Sequence, residues 1–354
     1  MPPLAEFLHF ENPPPSWLLE VGDLTPSCAT FLWYGLATET RRAYNAARIS
    51  FENFCASYST PAFPAKLHML AEWATLRAHG ALHENKLSPD TIQSYVSALR
   101  SVHVDRGLST DVFEHERLQR IINGIRRATP FTAKKKAAPL TPEILTQVTQ
   151  PWRDSLDIDD VNLDAAFKVA FAGFLRSGEF LHDDRLQRRT AEQTKLTRSD
   201  VTFGENDEHV LLRLKRSKTD VQHRGVEIVL AATDSPLCPV RTLRRLWQVD
   251  PQPPSAPLFR LKTRSFSYST IVPLLQGRLY QAGIRNADEY RGHSFRRGAA
   301  QHASNIGILD AEIQALGRWS SRAFKAYFKT IHTHRFNLSW RFSTGQSLPL
   351  RHTT

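Results

Sequence analysis

Apolar residues recur every three to four positions through the first third of the chain, which is the spacing of one face of an α-helix. One such stripe begins after Thr38 and Glu39 and consists of Tyr44, Ala47, Ile49, Phe51 and Phe54. Three similar stripes follow before Ala128, and Ser88 with Pro89 marks the start of the second of them. The pattern predicts an all-α bundle of about four helices joined by short connections.

Two segments in the second half alternate apolar and polar residues, which is the period of a half-buried β-strand. Apolar side chains stand at Val210, Leu212 and Leu214, and then at Val226, Ile228 and Leu230. A polar, glycine-containing stretch separates the two sets, so the pattern predicts an antiparallel hairpin. Helical spacing precedes and follows it, which predicts a second domain that is mainly α with a small antiparallel β-sheet.

Prolines and lysines mark the boundaries between these regions. The opening segment, residues 1–34, is rich in proline and predicts an extended arm. The stretch TPFTAKKKAAPLTPE interrupts the helical pattern and predicts a linker. The predicted organisation is an N-terminal arm, a helical domain, a basic linker, a second domain and a tail, at residues 1–34, 35–128, 129–140, 141–345 and 346–354.

Lysine and arginine outnumber aspartate and glutamate by 46 to 35, which gives a formal net charge of +11. This basic excess favours a polyanionic partner, of which nucleic acid is the commonest. Basic residues of the helical domain and the linker form either a solvated face or a face that binds DNA phosphates. The candidates are Arg41, Arg42, Arg100, Arg126, Arg127, Lys134, Lys135 and Lys136.

The three cysteines, Cys28, Cys55 and Cys238, lie far apart and form no CxxC pair. This spacing excludes a disulfide framework and a zinc knuckle and favours a reducing compartment. The sequence shows no secretory signal and no run of about 18 apolar residues, so we expect neither secretion nor a membrane partner. It also shows no phosphate-binding glycine loop and no cluster of carboxylates, so we expect no cofactor and no metal.

Two arginines and a histidine stand where they could form an anion site. His293 and Arg296 are three residues apart in GHSFRRGAA, so a helix would place both on one face, where they could meet one oxyanion. Alternatively, both simply decorate a surface helix. Arg176 follows a strongly apolar segment in FAGFLRSGEFL and either joins such a site or pairs with Glu179 at the edge of the core.

Three further residues have both a functional and a structural interpretation. Lys218 stands at the tip of the predicted hairpin, where it is either solvated or able to reach a bound backbone. Taken singly, Trp319 and Tyr327 are most simply explained as residues that pack in a core. Their indole N–H and phenol O–H are also groups that could act on a ligand.

Taken in order, these six residues resemble the catalytic set of the tyrosine recombinases, also called the phage integrase family. FLRSGEF resembles the family's first-arginine motif with its following acid, RSKTD its hairpin lysine, and HSFRRGAA its His-x-x-Arg box. LGRWSS matches the place of a histidine or tryptophan, AYFK matches the nucleophile, and the resemblance covers about residues 38–335. Tyr327 follows Trp319 by eight residues, one fewer than is usual in bacterial members and closer to eukaryotic mobile-element members of the crypton sort.

The resemblance implies an all-α core-binding (SAM-like) bundle followed by an α+β catalytic domain that breaks and rejoins DNA without a cofactor. The reaction passes through a 3′-phosphotyrosyl intermediate. The implied catalytic residues are Arg176, Lys218, His293, Arg296, Trp319 and Tyr327, with Glu179 in support. The resemblance also implies double-stranded DNA as partner, a tetramer on DNA that is a monomer or weak oligomer when free, and residence in the nucleus in a eukaryote or in the cytoplasm otherwise.

Other interpretations stay open on the sequence. A type IB topoisomerase uses a comparable active site to relax supercoils as a monomer. A DNA-binding protein could retain the catalytic set without using it, and a basic helical protein could lack catalysis altogether. If Tyr327 is not the nucleophile, the fallback candidates are Tyr290, Tyr280 and Tyr268.

Overall fold

Two units make up the chain, and the boundary between them falls between residues 133 and 134. The structure is a computed structural model that describes residues 13–19, 24–80, 85–129, 136–181, 196–215, 224–321 and 324–325. Within those ranges, no helix combines the length and the apolar character needed to cross a membrane.

The first unit is built from helices, and the predicted stripes form much of its core. Its helices are α1 (Ser16–Leu19), α2 (Pro26–Tyr34), α3 (Thr38–Ser57), α4 (Leu67–His79), α5 (Pro89–Asp105), α6 (Asp111–Glu114) and α7 (Glu116–Ala128). Phe51, Trp73 and Leu99 are fully buried at its centre. Ile49 is exposed, contrary to the predicted stripe, because a position two residues from Phe51 lies about 200° around the helix from it.

The N-terminal segment differs from the predicted extended arm. It contains the helices α1 and α2, and Leu18 and Ala29 are fully buried. Thr25 caps α2 by accepting the N–H of Cys28 at 3.3 Å, and Pro26 occupies the first helical turn. Proline is favourable there because its missing N–H would have no intrahelical partner. A proline that suggested extended chain therefore begins a helix.

His103 is a buried polar residue of α5 that ties two loops of the first unit together. Its Nε2 accepts the backbone N–H of Ala65 at 3.0 Å, so the Nδ1–H donates to the carbonyl of Ser109 at 2.6 Å. This arrangement requires the neutral imidazole. Burial lowers the pKa of His103 from its ordinary value of 6.5, and the charge of Arg106 lowers it further against the opposing effect of the Ser109 bond.

We expect the first unit to lose stability as the pH falls through about 6.5, because the unfolded state then binds a proton that folded His103 resists. The stabilisation is fully present above the unfolded pKa and declines below it. Amide hydrogen-exchange protection factors in α5, compared at pH 7.5 and 5.0, measure this effect. His103→Gln keeps a neutral donor and acceptor and should flatten the dependence; an equal loss in both proteins would assign it to other groups.

The second unit combines helices with one small sheet, which confirms the predicted fold class. Its helices are α8 (Pro142–Thr149), α9 (Ile158–Ala172), α10 (Ser177–Phe180), α11 (Pro239–Val249), α12 (Tyr268–Gln281), α13 (Ser294–Asn305) and α14 (Asp310–Leu316). Its strands are β1 (Val201–Phe203), β2 (His209–Leu214) and β3 (Val226–Ala231). Short 3-10 turns occupy Gln150–Trp152, Arg198–Asp200, Glu205–Asp207 and Ala287–Glu289.

The three described strands form an antiparallel sheet in the order β1-β2-β3. β2 and β3 form the predicted hairpin, with Leu212 opposite Ile228, and the alternating apolar side chains lie in the core. The sequence did not predict β1, because its three residues are too short to show an alternating pattern. The hairpin turn, with Lys218, lies outside the described residues.

Helix α9 is the centre of the second unit. Its residues 161–170 are all buried, and it packs against α11 and α13. On α13, Gly298 lies so close to the chain at Leu140 that a Cβ there would be 1.8 Å from the Leu140 carbonyl oxygen. The Leu140 N–H also donates to the carbonyl of Ser294 at 3.0 Å. These contacts fix the position of α13, the helix that carries Arg296.

Candidate active site

Three segments that are distant in the sequence meet at the C-terminal end of α9. They are the loop 173–176, the first turn of α13 and the turn 317–319 after α14. Arg296 joins them, because its guanidinium donates to the carbonyl of Phe174 at 2.6 Å and to the carbonyl of Gly317. The segments that carry Arg176, Arg296 and Trp319 are therefore close in space.

Arg296 lies in the interior of the second unit, with 0% of its surface exposed. Its Cζ atom is 4.1 Å from the centre of the Trp319 ring, a cation–π contact. Carbonyl oxygens and an aromatic face together compensate for burying the charge. The sequence indicated Arg296 and its helix but not its burial. That burial depends on distant segments, such as the loop at Phe174, which lies more than a hundred residues before Arg296 in the sequence.

Arg176 is held by Glu179, as one of the two interpretations of the sequence requires. Arg176 precedes α10 as its N-cap, and its backbone N–H donates to Glu179 Oε2 at 2.8 Å. Its Nη1 also donates to Glu179 Oε1 at 2.9 Å. The Arg176 side chain keeps 17% of its surface exposed while Glu179 keeps 5%. The ion pair therefore orients a side chain that solvent still reaches in part.

Trp319 packs across the turn that precedes it. Its ring covers Gly317 so closely that a Cβ there would lie 1.6 Å from ring carbon Cζ3. The ring also meets Phe174 edge-on, with centroids 6.4 Å apart, and lies 5.8 Å from the ring of Phe324. Trp319 thus forms one wall of the cluster around Arg296 and has the packing role that the sequence left open.

His293 is exposed and stands just before α13 as its N-cap. The preceding Gly292 approaches Ser177 so closely that a Cβ at Gly292 would lie 2.6 Å from the Cβ of Ser177. Since Gly292 precedes His293 and Ser177 follows Arg176, the segments that carry His293 and Arg176 lie next to each other. His293 and Arg296 do not share one exposed face, because Arg296 is fully buried while His293 is exposed.

Arg318 also belongs to this cluster, although the sequence analysis did not select it. Its Nη2 donates to Glu179 Oε2 at 2.8 Å, and its Nη1 donates to the carbonyl of Gly173 at 2.9 Å. Burial lowers the pKa of its guanidinium, the charge of Glu179 opposes this, and the charge of Arg176 adds to it. Its φ of 55° is in the left-handed region, which is uncommon for a residue other than glycine.

One signal in the sequence could have pointed to Arg318. It precedes Tyr327 by nine residues, whereas Trp319 precedes it by eight. Nine is the spacing that the resemblance gives for bacterial members, so Arg318 matches that spacing and Trp319 does not.

The predicted residues Lys218, Tyr327, Lys134 and Lys135 lie outside the described residues. Between residue 321 and Tyr327, the structure describes two residues, Phe324 and Lys325. Phe324 is buried in a small cluster with Phe174 and residues of α13 and α14, and Lys325 pairs with Asp310 at 2.9 Å. Phe324, three residues before Tyr327 in the sequence, therefore lies next to Trp319.

The fallback tyrosines occupy different surroundings. Tyr290 is buried, and burial raises its pKa above the ordinary value, which disfavours the phenolate. Tyr280 is 77% exposed and belongs to the last turn of α12. Tyr268 is half exposed, and its ring lies against Gly292, beside Ser177. The Tyr268 ring therefore lies beside the segments that carry Arg176 and His293.

The candidate DNA-binding arginines of the first unit differ in exposure. Arg41 is largely buried: its guanidinium pairs with Asp105 at 2.7 Å and lies 3.7 Å from the centre of the Trp33 ring. The exposed candidates are Arg42, Arg100, Arg126, Arg127 and, in the second unit, Lys136. Exposure is compatible with both a solvated face and a face that binds DNA, so DNA binding by these residues stays a prediction.

Comparisons with known proteins show which solved structures share this fold. No protein-family model matches the chain, and no curated protein matches it. Among solved structures, it is similar to the XerH site-specific recombinase bound to a palindromic difH substrate in a post-cleavage complex. The TM-score is 0.53 with 14% identity, and the match covers 86% of this chain and 78% of XerH.

The chain is also similar to the Tn1549 transposon integrase in complex with circular intermediate DNA. Here the TM-score is 0.55 with 17% identity, covering 86% of this chain and 94% of the other. A complex of the same integrase with transposon right end DNA gives a TM-score of 0.53 with 15% identity, covering 87% and 99%. At these identities the likeness establishes a shared fold.

Proposed function

We propose that this chain, which has the fold of the tyrosine recombinases, is a site-specific DNA recombinase or integrase that breaks and rejoins DNA strands through Tyr327. The observation that supports this most is that Arg176, Arg296 and Trp319, from three separate segments, lie in one cluster on that fold. The similar solved structures are complexes of recombinases and integrases with DNA.

The proposed reaction is a transesterification at one phosphodiester. The Tyr327 phenolate oxygen attacks phosphorus, the bond to the 5′ oxygen breaks, and a 3′-phosphotyrosyl bond forms. A phenol ordinarily ionises near pH ~10, so cationic surroundings are needed to favour the phenolate at neutral pH. His293 accepts the phenol proton, and Lys218 gives a proton to the leaving 5′ oxygen.

The arginines stabilise the negative charge that develops on the non-bridging oxygens. A guanidinium is permanently charged and offers forked donors that match a phosphate. In the described cluster, the guanidinium groups of Arg176 and Arg318 both bind the carboxylate of Glu179, and that of Arg296 binds the carbonyl of Phe174 in the loop before Arg176. The cluster therefore carries excess positive charge, and its low solvent exposure strengthens the attraction to a phosphate.

The energy of the broken bond is retained in the phosphotyrosyl bond, so a 5′-hydroxyl from another strand can reverse the step on a new partner. Strand exchange of this kind needs several subunits, and we include a tetramer on double-stranded DNA in the proposal. We also propose that the protein is located where its DNA substrate is, which is the nucleus in a eukaryote and the cytoplasm otherwise. Phosphate contacts by the basic chain would make binding strongly dependent on salt.

The decisive experiment is incubation with a nicked suicide substrate, from which the cleaved 5′ fragment diffuses away. We expect a covalent protein–DNA adduct that survives denaturation, and peptide mapping should place the DNA on residue 327. Binding without any adduct would favour a regulator that no longer uses the site. Relaxation of supercoiled DNA without sequence preference would favour the topoisomerase alternative over strand exchange.

A further inference from the structure

We propose that Arg318 is a positioning residue for strand cleavage, which it supports by sharing the carboxylate of Glu179 with Arg176. This inference rests on the proposed function. It adds a third arginine to the site and assigns it a role that acts through Arg176 and not through direct chemistry on the phosphate.

The Glu179 carboxylate is divided between the two arginines. Oε1 accepts Arg176 Nη1 at 2.9 Å, while Oε2 accepts Arg318 Nη2 at 2.8 Å. Oε2 also accepts the backbone N–H of Arg176 at 2.8 Å. Because both oxygens are occupied, the carboxylate cannot rotate without breaking one of these bonds, and Arg318 thereby fixes the group that orients Arg176.

Arg318 also ties two loops of the site together. Its guanidinium donates to the carbonyls of Gly173 at 2.9 Å and Phe174 at 3.4 Å, in the loop that leads to Arg176. In return, Arg176 Nη2 donates to the carbonyl of Arg318 at 3.5 Å. A left-handed conformation at a residue other than glycine costs free energy and persists only where surrounding contacts determine it. These contacts do so here.

Charge gives Arg318 a second effect on Arg176. Two guanidinium groups against one carboxylate leave one unit of positive charge in a group of side chains whose exposed fractions are 17%, 5% and 11% for Arg176, Glu179 and Arg318. Without Arg318, the charge of Glu179 would cancel that of Arg176. The remaining pair would then attract a phosphate less strongly, even with Arg176 in place.

A double-mutant cycle tests whether Arg318 acts through Arg176. The measured quantity is the single-turnover rate of adduct formation at saturating nicked DNA. Arg318→Ala should slow it by roughly ten- to hundredfold, the range known for residues that orient a metal ligand without touching the metal, with little change in DNA affinity. In the Arg176→Ala background the same substitution should slow it by less than about threefold, because the residue it acts through is gone.

Two other variants complete this test. Arg318→Lys keeps a positive charge beside the Glu179 carboxylate. A lysine cannot also bind the carbonyls of Gly173 and Phe174, so this variant should recover only part of the rate. Arg244→Ala removes the same charge from an ion pair with Asp207 whose two side chains are over 40% exposed, and should leave the rate unchanged. If Arg318→Ala slows cleavage by the same factor with and without Arg176, the positioning role is wrong.

A second measurement needs no cleavage and so separates this inference from the proposed function. The Arg176 amide donates to Glu179 Oε2, and the Thr197 amide donates in the same way to Asp200 Oδ2 at 2.7 Å. Arg318→Ala should lower the exchange protection of the Arg176 amide several-fold and leave that of Thr197 unchanged. Unchanged protection of both amides would overturn the inference even if the protein cleaves DNA. If no adduct forms but only the Arg176 amide responds, the proposed function fails and the structural coupling stands.

Discussion

Replacing Tyr327 by phenylalanine is expected to abolish the covalent protein–DNA adduct while leaving DNA affinity within about 1 kcal/mol of that of the unchanged protein. The substitution removes only the hydroxyl that is proposed to attack phosphorus, and it retains the ring. Adducts are counted after denaturing electrophoresis of reactions on nicked DNA, and affinity is measured by titration with an intact duplex at fixed salt.

Tyr268→Phe provides the matched control, because the Tyr268 ring lies against Gly292 near the cluster and also carries a phenol. This variant should form adducts at the normal rate. Persistent adducts with Tyr327→Phe, or their loss with Tyr268→Phe, would move the nucleophile to another residue and remove the central step of the proposed reaction.

Arg176→Ala is expected to slow cleavage by at least about a hundredfold, the usual cost of losing one donor to a developing oxyanion. The same rates should be measured on DNA whose scissile phosphate is a methylphosphonate. That group lacks one of the charged oxygens, so an arginine that stabilises charge contributes less to its reaction. The deficit of Arg176→Ala should therefore shrink on the neutral substrate.

Arg244→Ala is the charge-matched control for this experiment and should behave like the unchanged protein on both substrates. An equal deficit of Arg176→Ala on both substrates would return the residue to a purely structural role. Arg296→Ala is a less direct test, because it also removes a donor from each of the carbonyls of Phe174 and Gly317. Loss of stability would then accompany any loss of rate.

Local patterns were sufficient for much of the fold. Alternation of apolar residues predicted the β2–β3 hairpin, and Ser88 predicted the start of α5; its Oγ accepts the N–H of Thr91 at 3.2 Å. Both depend on residues that are close in sequence. The strand β1 and the helix α2 were not predicted, since three residues show no period and a proline-rich segment suggested extended chain.

The candidate site shows where local patterns are insufficient. The sequence identified Arg176 and Arg296 as residue types suited to phosphate chemistry and Glu179 as a partner for Arg176. The burial of Arg296, however, depends on carbonyls brought from other segments. Arg318 depends on them even more, through contacts with residues 173–179. Arg318 and Phe174 both have a left-handed backbone conformation. The sequence does not indicate it, because neither residue is a glycine, the residue type that usually marks this conformation. Such features follow from tertiary packing.

The burial of Phe324 limits how far the proposed nucleophile can travel. Three residues of extended chain span at most about 11 Å, so covalent geometry alone keeps the Cα of Tyr327 within that radius of the Phe324 Cα. Phe324 itself lies against Trp319, which covers Arg296. In the proposed reaction, so short a connection favours attack by Tyr327 on a phosphate bound by the same subunit over transfer of the phenol to a neighbouring copy.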